Sequence, residues 1–106
     1  MSFRFMRNLI FFDLPRDTSA QRKDAAGFVK QLLKQGYVML QESVYSKLVI
    51  NANGIEGEKE RVRKIKPKSG NILMLTITEK QFNDIEILLG EVSQKVVSSA
   101  ERAVFI

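Results

Sequence analysis

Residues 37–50 read YVMLQESVYSKLVI. Aromatic and β-branched side chains dominate the segment, the composition of an extended chain rather than a helix. The one interruption is Gln41-Glu42, two polar residues inside an apolar run. The segment reads as one long strand, broken or bulged at that pair, and the order of elements on either side is built around it.

Toward the N-terminus, Gly36 supplies the stop of a helix that opens at the T-x-x-Q capping box Thr18-Ser19-Ala20-Gln21. Ala25, Phe28, Val29, Leu32 and Leu33 recur at helical spacing, and Lys23, Lys30 and Lys34 fall on the opposite face. Before that helix, Met6–Asp13 reads as a strand. Arg7, Leu9, Phe11 and Asp13 share one face while Ile10 and Phe12 share the other. Both faces are largely apolar, as in a central strand covered on two sides, and Leu14-Pro15 ends it because proline cannot donate to a sheet.

Toward the C-terminus, Asn51-Ala52-Asn53-Gly54 is a loop, and residues 56–66 form a strongly basic helix closed by Pro67 and Gly70. Val62 and Ile65 point inward there, Arg61 and Lys64 outward. Residues 71–78, NILMLTIT, read as a third and again central strand. A second T-x-x-Q box at Thr78-Glu79-Lys80-Gln81 opens a helix with Phe82, Ile85, Leu88 and Leu89 inward and Gly90 at its end. The terminal Ala103-Val104-Phe105-Ile106 is a strand-former too apolar to stand in water, so it should pair with a sheet edge of its own chain or a partner's. The expected fold is α+β: a single ferredoxin-like βαββαβ domain over residues 1–106, with an extra basic helix between strands two and three. Such a sheet leaves one face open, and a homodimer is its natural completion.

Composition narrows the chemistry. The chain has 106 residues, 44% apolar and 27% charged, with a net charge of +5. That excess points to a polyanionic partner, nucleic acid above all. Cysteine and histidine are both absent, which removes disulfides, thiolate or imidazole metal sites and histidine acid–base catalysis. No apolar run approaches the roughly 20 residues of a membrane helix, and the N-terminus lacks a signal-peptide pattern, so a cytoplasmic location is expected. Phosphate contacts are expected from Arg16, Arg22 and Lys23 after the first strand, and from Arg61, Arg63 and Lys64 in the basic helix. Tyr45 reads as a packing or interface residue. Asp13, the lone carboxylate at the end of an apolar strand, has three readings. It binds a metal, caps the Leu14-Pro15 turn, or pairs with Arg16.

Three stretches, LIFFDLP at 9–15, LQESVYSKL at 40–48 and LTITEKQF at 75–82, resemble the CRISPR-associated protein 2 family in the same order. The resemblance runs from about Met6 to Ile106 and is nearest to members that accompany single-effector RNA-guided nucleases. It implies a ferredoxin-like homodimer whose C-terminal strand crosses to the other subunit. It implies a scaffold role in spacer acquisition, with the dimer bridging integrase subunits and holding double-stranded prespacer DNA through its backbone. It also implies that Asp13 faces its symmetry mate, the pair holding Mg²⁺ in members that behave as nucleases. A Mg²⁺-dependent endonuclease, cutting DNA or RNA with paired Asp13, is therefore the alternative function.

Overall fold

The computed structural model describes residues 5–90. Met6–Asp13 forms β1, Ser19–Lys34 forms α1, Val38–Gln41 forms β2 and Val44–Val49 forms β3. A short 3-10 turn over Ala52–Gly54 leads into α2, Ile55–Ile65, followed by β4, Asn71–Thr78, and the brief α3, Glu79–Asn83.

The segment 37–50 is therefore a hairpin. The chain reverses at Glu42-Ser43, where Ser43 takes a left-handed backbone with φ 67°. The ladder between β2 and β3 slips one residue between Met39 and Gln41. The N–H of Phe12 donates to the Ser43 carbonyl at 3.1 Å and ties the turn to β1. This reversal reassigns the basic helix. With two strands in place of one, α2 is the second crossover of the βαββαβ unit rather than an insertion into it. The sheet order is β2-β3-β1-β4, antiparallel at every pair, as the ferredoxin-like fold requires. β1 is central as expected, whereas β4, expected to be central, is outermost in the described sheet.

Both capping boxes form. Thr18 accepts from the Gln21 N–H and Thr78 from the Gln81 N–H, and each glutamine side chain returns a bond to its cap. The second helix opened in this way stops after one turn. Asn83 and Asp84 favour local side-chain bonding over helix continuation, so Phe82 is buried while Ile85, Leu88 and Leu89, expected inward, stand exposed. The terminal strand at 103–106 and its exchange lie outside the described residues.

Alternation along β1 separates two apolar layers. Ile10 and Phe12 enter the core under the helices with Ala25, Phe28 and Leu32 of α1, Val62 of α2, and Tyr37 and Tyr45. Phe12 meets Phe28 edge to face at 5.3 Å and stacks on Tyr45 at 5.6 Å. On the other face Leu9 packs with Phe82, flanked by Phe11 and Ile77, but Leu73 and Leu75 of β4 remain 69% and 50% exposed. Among the described residues no helix is long and apolar enough to cross a membrane.

The second face carries a buried ion pair. Arg7 donates from Nε and Nη2 to the two carboxylate oxygens of Glu79, at 2.7 and 3.1 Å, while its guanidinium lies 4.4 Å above the Phe82 ring. This fork joins the first strand to the start of α3 across 72 residues of sequence. Removing one partner breaks this fork around a charge that stays buried, so Arg7→Ala or Glu79→Ala should each cost about 3–5 kcal/mol in urea denaturation. The double variant should cost clearly less than the sum of the two, and simple additivity would show that the pair is not coupled.

Candidate nucleic-acid interface

Asp13 closes β1 opposite Asn71 of β4, on the sheet face away from α1 and α2, and is exposed. Its carboxylate makes no hydrogen bond or ion pair among the described residues, so neither the turn cap nor the Arg16 pair forms there. The turn behind it is held by packing. Gly70 has φ +109°, and a Cβ at that position would come within 2.7 Å of Leu14 Cδ2 and 3.0 Å of the Asp13 carbonyl oxygen. Only glycine fits this approach, which fixes where β1 ends. Among the described residues no three acidic side chains gather as a metal site. Asp13 thus offers one available carboxylate per chain.

The basic residues divide into engaged and free. Arg22 donates to the main-chain carbonyls of Arg16 and Asp17, at 3.0 and 3.4 Å, and serves its own loop. Arg61 donates to Glu58 at 2.8 Å, and Arg63 donates to Glu60 at 2.9 Å with Glu56 4.0 Å away. Arg16, Lys23 and Lys64 are exposed and have no such partner among the described residues. Lys66 and Lys68, not singled out by the sequence reading, are equally free. With Lys23 they line an open groove of about 810 Å³ between α1 and the end of α2, floored by Phe28, Ile65 and Pro67. The i,i+3 spacing of Glu58–Arg61 and Glu60–Arg63 was the sequence signal that these arginines are engaged.

Glu58 is the acid the sequence reading missed. It is 1% exposed, on the inner stripe of α2 with Ile55 and Val62, and accepts from Lys47 of β3 at 3.0 Å as well as from Arg61. Burial alone would raise its pKa. The bonds from Arg61 and Lys47, helped by the nearby Tyr37 hydroxyl, outweigh that and hold it below the ordinary value of 4.5. Its other oxygen, Oε2, has no partner of good hydrogen-bond geometry. A polar chain continues from this point through the core: the Asn8 amide donates to the Tyr37 hydroxyl at 2.7 Å and accepts from Thr76 at 3.1 Å. Burial, more than any neighbour, pushes the Tyr37 hydroxyl far above its usual pKa, so it stays neutral at any ordinary pH.

A fully antiparallel split-βαβ sheet, a basic helical layer and a free carboxylate at the end of the first strand define a small ferredoxin-like domain. The chain belongs to the CRISPR-associated protein Cas2 family, whose profile matches residues 6–85. It is 40% identical over 101 residues to a "CRISPR-associated endoribonuclease Cas2" of Ligilactobacillus salivarius, covering 95% of this chain and 100% of the relative. It is 43% identical to one of the same name from Streptococcus mutans, covering 95% and 93%. A third so named, from Campylobacter jejuni, is 39% identical over 96% of this chain and 73% of the relative.

The Glu58 bridge has a pH signature. A carboxyl held below its unfolded pKa stabilises the fold above that value, and the contribution is lost as pH falls through the folded pKa. Glu58→Gln should therefore lower stability by about 1–3 kcal/mol at neutral pH. Its difference from wild type should shrink progressively below pH 4.5 in chemical denaturation. A difference independent of pH would mean that the carboxylate charge contributes nothing.

Proposed function

We propose that this chain is the dimeric scaffold subunit of a CRISPR spacer-acquisition complex. It binds prespacer duplex DNA through the phosphate backbone and bridges dimers of the integrase subunit. The observation that carries the reading is the set of unpaired cations on the helical side, with Lys23, Lys66 and Lys68 around one groove and Lys64 beside it. A scaffold that accepts any spacer needs phosphate contacts without base readout, and free lysines on a fixed frame supply them. The exposed apolar row of Leu73 and Leu75, beside Phe11, supports self-association through the open sheet face.

A Mg²⁺-dependent endonuclease is the second reading. It is supported by the printed names of the relatives and by the unengaged carboxylate of Asp13. Mg²⁺ takes oxygen ligands, often one or two carboxylates plus waters. Asp13 from each of two subunits fits that donor set. A bound ion would neutralise phosphate charge and activate a water. The chain's own part is to hold the carboxylate at the strand end, where Gly70 fixes the turn.

Two measurements separate these readings. In spacer integration with the integrase of the same locus and a short duplex, Asp13→Ala should match wild type, while loss of integration together with Mg²⁺-dependent cleavage would favour the nuclease. In duplex binding, Lys23→Glu/Lys66→Glu/Lys68→Glu should weaken affinity uniformly across sequences and flatten the salt dependence by about one unit of log–log slope for each lost contact. Arg63→Glu should do far less. Unchanged binding by the triple variant would remove the groove from the interface.

A further inference from the structure

Besides the lysine groove, the helical side carries a second concavity at the opposite border of α1. It holds about 330 Å³, near the lower limit for a small-ligand pocket, and lies between α1, β2 and the β2–β3 turn. Phe12, Val29 and Met39 supply an apolar lining, and Met39 is 52% exposed although it belongs to a strand. Three polar side chains that carry charge or a hydroxyl on a ring also line it: Arg16, Glu42 and Tyr45. None of the three has a hydrogen bond or ion pair among the described residues. Arg16 and Glu42 are exposed, so their charges are available to a ligand at the pocket mouth. Tyr45 is 6% exposed and its ring stacks on Phe12, which fixes where its hydroxyl stands. Burial raises its pKa, with Arg16 and Glu42 acting on it in opposite senses, which places the hydroxyl within electrostatic reach of both.

The two charged groups select the ligand class. A lone cation would suit any anion and a bare apolar hole any hydrocarbon. An apolar slot lined by both an arginine and a glutamate suits a molecule with a flat apolar body, an anionic group and a hydrogen-bond donor. Resting on the reading that this chain binds nucleic acid, we propose that the pocket seats one unpaired nucleotide of a single-stranded end. The base lies against Met39 and Val29, its exocyclic amine donates to Glu42, and its phosphate meets Arg16 and the Tyr45 hydroxyl.

The test titrates the full chain with a single-stranded DNA tetranucleotide rich in adenine and cytosine, and separately with blunt duplex and with inorganic phosphate. Methyl NMR signals of Met39 and Val29 report the pocket. The tetranucleotide should shift both methyls, and inorganic phosphate should not. Tyr45→Phe, which keeps the stacked ring, and Glu42→Gln should each weaken tetranucleotide binding about three- to tenfold, the worth of one hydrogen bond. Ala26→Leu, an exposed helix position on the pocket wall, should fill the slot and abolish the methyl shifts. Blunt-duplex affinity should be unchanged in all three. Equal tetranucleotide affinity in wild type and Ala26→Leu would overturn the proposal, as would methyl shifts produced equally by phosphate. Loss of duplex binding by the lysine-groove variant bears only on the scaffold reading, so the two can fail separately.

Discussion

Everything in this fold hangs on the two-sided burial of β1. The strand has neighbours on both edges and apolar layers on both faces, so a one-residue slip would push Arg7 and Leu9 under the helices and expel Ile10 and Phe12. That register is what puts Asn8 into the Tyr37 and Thr76 chain, Arg7 against Glu79, and Asp13 at the exposed end. The approach of Gly70 to the Leu14-Pro15 turn then fixes the point at which the strand stops. The position of the Asp13 carboxylate is thus a by-product of core packing, set before any ligand is present.

Net charge and available charge differ in this molecule, and Glu58 is much of the reason. A carboxylate buried between β3 and α2 would be costly alone, so it draws in Lys47 from the strand and Arg61 from its own helix. The bridge anchors α2 to the sheet while it occupies two cations. Glu56 and Glu60 engage Lys59 and Arg63 in the same helix. What the basic segment leaves for a polyanion is its C-terminal end, where Lys64, Lys66 and Lys68 follow the last acid. The field that a nucleic acid would feel is therefore concentrated where α2 ends near α1, not along the helix as a count of charges suggests.

The elements with local signatures were legible in the sequence. Both T-x-x-Q boxes, the period-2 pattern of the first strand and the inward Val62 of the basic helix all stand where the residues put them. The β2–β3 reversal was only half legible. Its turn is Glu-Ser with a non-glycine residue at positive φ, without the Asn-Gly or Asp-Gly that usually marks a two-residue hairpin. That single turn decides whether the basic helix is an insertion or the second crossover. The Arg7–Glu79 fork was illegible, because no local pattern connects partners 72 residues apart. Glu58 was legible and overlooked: an acid on the apolar stripe of α2 needs a buried cation opposite, and Lys47 is the cation on the helix-facing side of β3. The engagement of Arg61 follows from the same buried acid.

Asp13 and the lysine groove differ in a way that separates the two functional readings physically. The groove is complete within one chain, because all three of its lysines are fixed by α1 and the end of α2. A phosphate contact made there would need nothing from a second protomer, and two protomers on one duplex would multiply it. Asp13 is a single carboxylate, and among the described residues it belongs to no cluster of three or more metal-ligating side chains. Another copy of the same residue across a twofold axis would supply a second carboxylate for a divalent ion, which would make that metal chemistry a property of the assembly. The scaffold reading thus draws its binding residues from the protomer, whereas the nuclease reading draws its metal ligands from a dimer. On that ground the scaffold reading is the more economical account of the residues one chain contains, and the nuclease reading is an account of what symmetry adds to them.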